Sequence, residues 1–132
     1  MTRKLRVAVV GLGVGKGHLE SYAKIPDHFE VKAVCDLDAA KAKAVAEQFG
    51  IARHTTQLSE LLASNELDII DICTPNFLHP LIAIEAAKAG KHVVCEKPLA
   101  NTLKEAQDML KAVEKGGVYV LKGTKLWITN GP

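Results

Sequence analysis

Several features that mark particular protein classes are scarce in this 132-residue sequence. Aromatic residues make up only 5%, and the apolar runs are short. Val7 to Val10 and Ile69 to Ile72 fall far below the roughly 20 residues that cross a bilayer, so no membrane span or membrane partner is expected. The Met-Thr-Arg-Lys start lacks the apolar region of a signal peptide, and a cytoplasmic location is the expectation. Cysteine is limited to Cys35, Cys73 and Cys95, an odd and widely spaced set. Neither a disulfide framework nor a zinc pattern fits, and no carboxylate or thiol accompanies the histidines at ligand spacing. Small buried thiols near strand ends are expected instead, and no metal site. An excess of one charge is also missing: 17 basic and 15 acidic residues are mixed along the chain and leave a formal charge of +2. That excludes a basic stripe for nucleic acid and a polybasic membrane anchor.

What is present is the make-up of one folded domain, with 48% apolar and 24% charged residues. Four runs rich in Val and Ile do not alternate with polar residues: Leu5 to Val10, Phe29 to Cys35, Leu67 to Cys73 and His92 to Cys95. Such runs read as strands covered on both faces, the mark of a parallel sheet. Helical periodicity lies between them over Gly17 to Ile25, Asp38 to Phe49, Asn76 to Ala89 and Thr102 to Lys115, with a shorter stretch at Gln57 to Ala63. Asp38 and Thr102 are placed as N-caps, Thr102 with Glu105 makes a capping box, and Gly50, Gly90 and Gly116 mark helix ends. Strand alternating with helix predicts a single α/β domain with a doubly wound, mainly parallel sheet and right-handed crossovers. Val118 to Leu121 would supply the last strand.

The first strand runs into Gly11-Leu12-Gly13-Val14-Gly15-Lys16-Gly17-His18 and then a helix. There the first glycine permits a tight bend and the second lets the backbone approach a pyrophosphate, whose charge rests on the helix N-terminus. The usual third glycine falls on Lys16, flanked by Gly15 and Gly17, so the loop is a variant, one residue shorter. Asp36 ends the second strand 25 residues after Gly11, where an acid accepts hydrogen bonds from ribose hydroxyls. Its carboxylate would repel a 2′-phosphate, which favours NAD over NADP, with Lys41 the one nearby cation. His18 would close the first loop and His92 would sit at a strand entrance.

Two further strand ends are polar, Cys73-Thr74-Pro75-Asn76-Phe77-Leu78-His79-Pro80 and Cys95-Glu96-Lys97-Pro98-Leu99. With the glycine loop and Asp36, these residues resemble the glucose-fructose oxidoreductase and inositol dehydrogenase family (Gfo/Idh/MocA), over roughly residues 4–121. The resemblance implies an NAD(P)-binding Rossmann domain, residues 1–121, of an oxidoreductase acting on sugars, inositols or related polyols. By position, Gly11, Leu12, Gly13, Val14, Gly15 and Asp36 would bind the cofactor. Thr74, Pro75, Asn76 and His79 would line its nicotinamide side, and Glu96 would lie beside the nicotinamide ribose. Lys97 would face both cofactor and substrate as the catalytic residue, its ammonium stabilising charge on the reacting oxygen. A cis peptide before Pro98 is also implied.

Members of that family carry a second α/β domain supplying most substrate contacts and a catalytic His or Asp. This sequence stops at Pro132, so the expectation is a domain that binds the cofactor without full turnover. Residues 122–132 form a tail, and Tyr119 to Gly131 resembles a segment of the acyl-CoA dehydrogenase middle domain, too short to build a flavin site. A non-catalytic nucleotide-sensing or assembly module on the same fold is the alternative reading. Exposed sheet edges and the apolar, β-prone C-terminal segment predict a homo-oligomer.

Overall fold

The computed structural model describes residues 2–122; of the expected tail, residues 122–132, only Lys122 lies among them, and it ends the last strand, while the rest of that reading lies outside the described residues. Six strands form one sheet: β1 (Leu5–Val10), β2 (Phe29–Cys35), β3 (Arg53–Thr55), β4 (Ile69–Ile72), β5 (His92–Cys95) and β6 (Val120–Lys122). Their spatial order is β3-β2-β1-β4-β5-β6, and every neighbouring pair is parallel. Five α-helices connect them: α1 (Gly15–Ala23), α2 (Ala39–Phe49), α3 (Leu58–Leu62), α4 (His79–Lys88) and α5 (Leu103–Gly116). A short 3-10 turn, Asn76–Leu78, precedes α4. Among the described residues no helix is long and apolar enough to cross a membrane.

Strand pleating sends alternate residues to opposite faces and divides the core in two. Val7 and Val9 of β1 pack with Leu19 of α1 and Ala42 and Val45 of α2. Ala8 and Val10 face the other way, onto a layer that includes Leu61 of α3, Ile82 and Ala83 of α4 and Met109 of α5. Because both faces are covered, the strands need no polar side, and the continuous apolar runs follow. Asp71 is the exception: it lies in β4 at 0% exposure, so its charge must be answered from within the fold.

The caps expected from sequence are present. Asp38 accepts the Lys41 N–H at the start of α2, and Thr102 and Glu105 form the reciprocal capping box of α5. α5 ends at Gly116 as expected, and the next residue, Gly117, adopts the left-handed conformation that closes it (φ 65°). Gly116 is small for another reason, since a Cβ there would lie 2.6 Å from the Ala87 carbonyl oxygen of α4. Strand β3 escaped the sequence reading because Arg53-His54-Thr55 is short and polar, as an edge strand permits. β4 is shorter than predicted and begins after Asp68, whose carboxylate accepts hydrogen bonds from both Arg3 and Arg6. Those two guanidinium groups hold it well below the usual carboxylate range and pin the N-terminal segment to β4.

Candidate functional site

Chain order reverses between β1 and β4, and in open α/β sheets a crevice forms outside the carboxyl ends at such a point. Here a cleft of about 680 Å³ opens over the ends of β1, β2, β4 and β5. Ten of the twelve residues expected from sequence line it: Gly11, Leu12, Gly13, Val14, Asp36, Thr74, Pro75, Asn76, Glu96 and Lys97. Lys41 and Cys73 join them, while Gly15 and His79 do not face it.

Each glycine of the loop has its own physical reason. Gly11 turns the chain at φ +91°, and a Cβ there would stand 2.7 Å from the Cys73 carbonyl carbon. Gly13 borders open space, with nothing within 4 Å of the position its Cβ would take. Gly15 is buried, and its Cβ would meet Val9 Cγ1 at 2.9 Å, so it lets α1 lie against β1. That is the close-packing role of the third glycine, performed one position early; Lys16 does not interrupt the motif. The helix consequently starts at Gly15, two residues before the predicted start. Among the described residues no side chain caps α1, and no acid lies in its first turn. α1 begins directly after Val14, which lines the cleft, so the positive end of its dipole lies at the cleft, a ready seat for an anion.

Asp36 closes the β2 side. Its Oδ2 accepts the Leu12 N–H at 2.9 Å and its Oδ1 the Asp38 N–H at 3.0 Å, with Lys41 Nζ 3.5 Å from Oδ2. Burial pushes this carboxyl up, but the two N–H donors and the Lys41 ammonium together outweigh it and hold the group below its ordinary value. Beside Asp36 lies an apolar hollow of about 280 Å³ lined by Leu37, Leu58, Pro75, Leu78 and Leu81. Sequence reasoning missed it; Leu37, directly after the acidic residue and 88% exposed, is its signal.

On the opposite side, the Lys97–Pro98 peptide is cis, and two histidines brace the turn it forms. His79 differs from the expectation that it lines the cofactor: it is fully buried, with Nδ1 2.8 Å from the Pro98 carbonyl oxygen and Nε2 2.9 Å from that of Thr74. It ties the Thr-Pro-Asn loop to the Glu-Lys-Pro turn from below. His18 acts from α1, with Nδ1 2.8 Å from Asp71 Oδ2 and Nε2 2.7 Å from Glu96 Oε1. Tyr22 donates its hydroxyl to the same Asp71 oxygen at 2.8 Å. Two groups of α1 thus meet Oδ2 of the buried acid on β4, an arrangement sequence reading did not foresee.

The bond to Asp71, reinforced by Glu96 and opposed by partial burial, lifts His18 to about 9. Stability from a raised histidine is fully present below its unfolded value near 6.5 and is lost as pH climbs through about 9. After allowance for solvent screening of a partly exposed group, unfolding experiments should show a loss of roughly 1–2 kcal/mol across that window. Burial raises all three thiols, Cys35 to about 11 and Cys95 to about 12, and these act in the same direction at higher pH. A His18→Gln variant separates the contributions, and an identical pH profile in parent and variant refutes this one.

The fold also revises the argument against metal. His18, Asp71 and Cys73 place donor atoms within 4.8 Å of one another, so a carboxylate and a thiol do accompany a histidine in space. They already satisfy each other: the Cys73 thiol donates to Asp71 Oδ1, burial pushes that thiol up, and His18 and Tyr22 occupy Oδ2.

Comparison with known proteins agrees with this geometry. Residues 5–124 match the Gfo/Idh/MocA oxidoreductase family, NAD-binding Rossmann fold. An uncharacterized oxidoreductase of Bacillus subtilis, YrbE, is 36% identical over 124 residues, which are 93% of this chain and 36% of that protein. Levoglucosan dehydrogenase of Pseudarthrobacter phenanthrenivorans is 37% identical over 120 residues, 85% of this chain and 31% of that one. The WlbA dehydrogenase of Chromobacterium violaceum, solved with NADH and UDP-GlcNAcA, superposes with a TM-score of 0.90 at 35% identity, covering 97% of this chain and 37% of its own. The chain spans about a third of the length of the curated relatives it matches. A glycine turn leading into a helix, an acid after β2 and a lysine turn after β5 meet at one end of the sheet, and the chain belongs to the Gfo/Idh/MocA oxidoreductases through their NAD-binding Rossmann fold.

Proposed function

We propose that the cleft holds NAD in preference to NADP and serves hydride exchange with a sugar, inositol or related polyol. One observation carries the reading: an uncapped helix N-terminus and an ionised Asp36 face one cleft with Lys97. The donor set fits a dinucleotide. The α1 N–H groups and the open space at Gly13 suit a diphosphate, Asp36 suits two vicinal ribose hydroxyls, and the hollow by Leu37 suits a flat base. When bound, the cofactor supplies a hydride acceptor or donor.

The chain's residues do the rest. Thr74, Pro75 and Asn76 border the nicotinamide side, and Glu96 lies by its ribose. Lys97 is the catalytic residue: its ammonium hydrogen-bonds the substrate oxygen that gains or loses a proton and stabilises the charge developing there. The carbohydrate class rests on relatives named for levoglucosan and solved with UDP-GlcNAcA. Titration of the chain with NADH, followed by an assay over a panel of polyols, tests the reading. Saturable binding with turnover supports it whole; binding without turnover supports the non-catalytic module; absence of binding overturns both.

Self-association belongs to the same reading. Tyr119 and Leu121, beside and within the β6 edge, are 79% and 65% exposed. An oligomer built through this C-terminal segment is the expected result in light scattering, and a monomer refutes it. Persistence in a chain cut after Gly117 moves the interface elsewhere.

A further inference from the structure

Both ring nitrogens of His18 face carboxylate oxygens, at 2.8 Å to Asp71 and 2.7 Å to Glu96. A neutral imidazole donates from one nitrogen only, whereas an imidazolium donates from both and satisfies the two contacts together. The second oxygen of Glu96, Oε2, accepts the backbone N–H of Lys97 at 3.2 Å. A continuous path therefore runs from Asp71 on β4, through His18 on α1 and Glu96, to the backbone of the lysine turn after β5. Loss of the His18 proton makes this end of the cleft more negative by one charge.

We propose that His18 is a positioning residue: as an imidazolium it clamps Glu96 beneath the Lys97 turn and, by cancelling one carboxylate, favours the neutral reduced nicotinamide over the cationic oxidised ring. The proposal rests on the dinucleotide reading above, with Glu96 at the nicotinamide end. Its physical content is simple. The two redox forms share every group except the ring, so contacts at the diphosphate and at Asp36 act on both alike. Only charge near the ring separates them, and Glu96 and Lys97 are the charged residues lining the cleft on the β5 side. Among the described residues the groups facing His18 are Asp71 from β4, Cys73 just after it, Tyr22 from its own helix and Glu96 after β5. Burial raises Tyr22 and Cys73, which keeps both neutral while His18 titrates. The histidine itself is lifted to about 9, so the imidazolium is the form present at neutral pH.

The test measures the ratio of NAD+ to NADH affinity by calorimetry on the full chain. His18→Gln, which retains hydrogen bonding but no charge, should shift the ratio toward NAD+ by about three- to tenfold, the scale of one unit charge in a partly screened cleft. In the parent, raising the pH from 7 to 10 should shift the ratio the same way with a midpoint near 9, and the variant should show no such midpoint. The parent profile needs no substitution and decides the matter if the variant does not fold. A structural role for His18 would weaken both cofactors equally. An unchanged ratio in the variant, or a flat parent profile, overturns the proposal. Failure of the parent to bind either cofactor overturns the dinucleotide reading first, and this proposal with it.

Discussion

A Gly13→Val variant is expected to melt within a few degrees of the parent and to lose at least about 100-fold in NADH affinity. The two halves of that result have separate causes. Nothing lies within 4 Å of the position a Cβ would take at Gly13, and the residue has no positive φ, so the protein accommodates a branched side chain. The space is nonetheless the approach to the α1 N-terminus, and isopropyl atoms there occupy what a diphosphate needs in order to reach the helix N–H groups. Gly11 would be a poor choice for the same test. Its φ of +91° and the 2.7 Å approach to the Cys73 backbone make any side chain at that position a folding defect. Circular dichroism and calorimetry on Gly13→Val read the two properties independently. A folded variant that binds NADH as tightly as the parent would show that the cleft over α1 is not the cofactor site.

How much of this was readable beforehand depended on whether the determining interaction was local. β1, β2 and β5 are legible to the residue because a strand buried on both faces is a short apolar run, visible without partners. The caps at Asp38 and Thr102 were equally local, each reaching three residues along the chain. β3 was invisible because its three residues owe their conformation to pairing with Ala33 to Cys35, not to their own composition. The glycine loop fell between these cases: sequence showed the spacing, but only the contact of Gly15 with Val9 shows which glycine packs helix against strand.

The same division runs through the site. Strand ends point to the cleft by topology, so the residues just after β1, β2, β4 and β5 could be named from sequence with the family motifs as guide. His79 belongs to a motif yet faces away from the cleft, since a motif fixes position along the chain and leaves the direction of the ring to the carbonyls of Thr74 and Pro98. The network of His18, Asp71 and Glu96 joins residues 53 and 78 positions apart and had no local trace. One signal was available: Asp71 stands inside an apolar run, Ile69-Ile70-Asp71-Ile72, and an acid in a strand buried on both faces demands a partner.

The second large effect concerns the choice between cofactors. Asp36→Ala should weaken NAD binding by about 10- to 100-fold, a net loss of about 1.5–3 kcal/mol in charge-assisted hydrogen bonding to the ribose hydroxyls. NADP should gain at the same time, because the carboxylate that repels its 2′-phosphate is gone. Lys41 adds to the gain: its ammonium now stands 3.5 Å from Asp36 Oδ2, and without that partner it is free to pair with a phosphate. The substitution has a structural cost, since Asp36 also accepts the N–H groups of Leu12 and Asp38 and so shapes the glycine turn. That cost falls on both cofactors alike. The decisive quantity is therefore the ratio of NAD to NADP affinity, expected to fall at least about 100-fold when the two effects combine. Adding Lys41→Ala to Asp36→Ala should remove part of the NADP gain and leave NAD where it was. A ratio that does not move in Asp36→Ala would mean that the ribose is held elsewhere, and that the acid ending β2 serves only to fold the turn it caps.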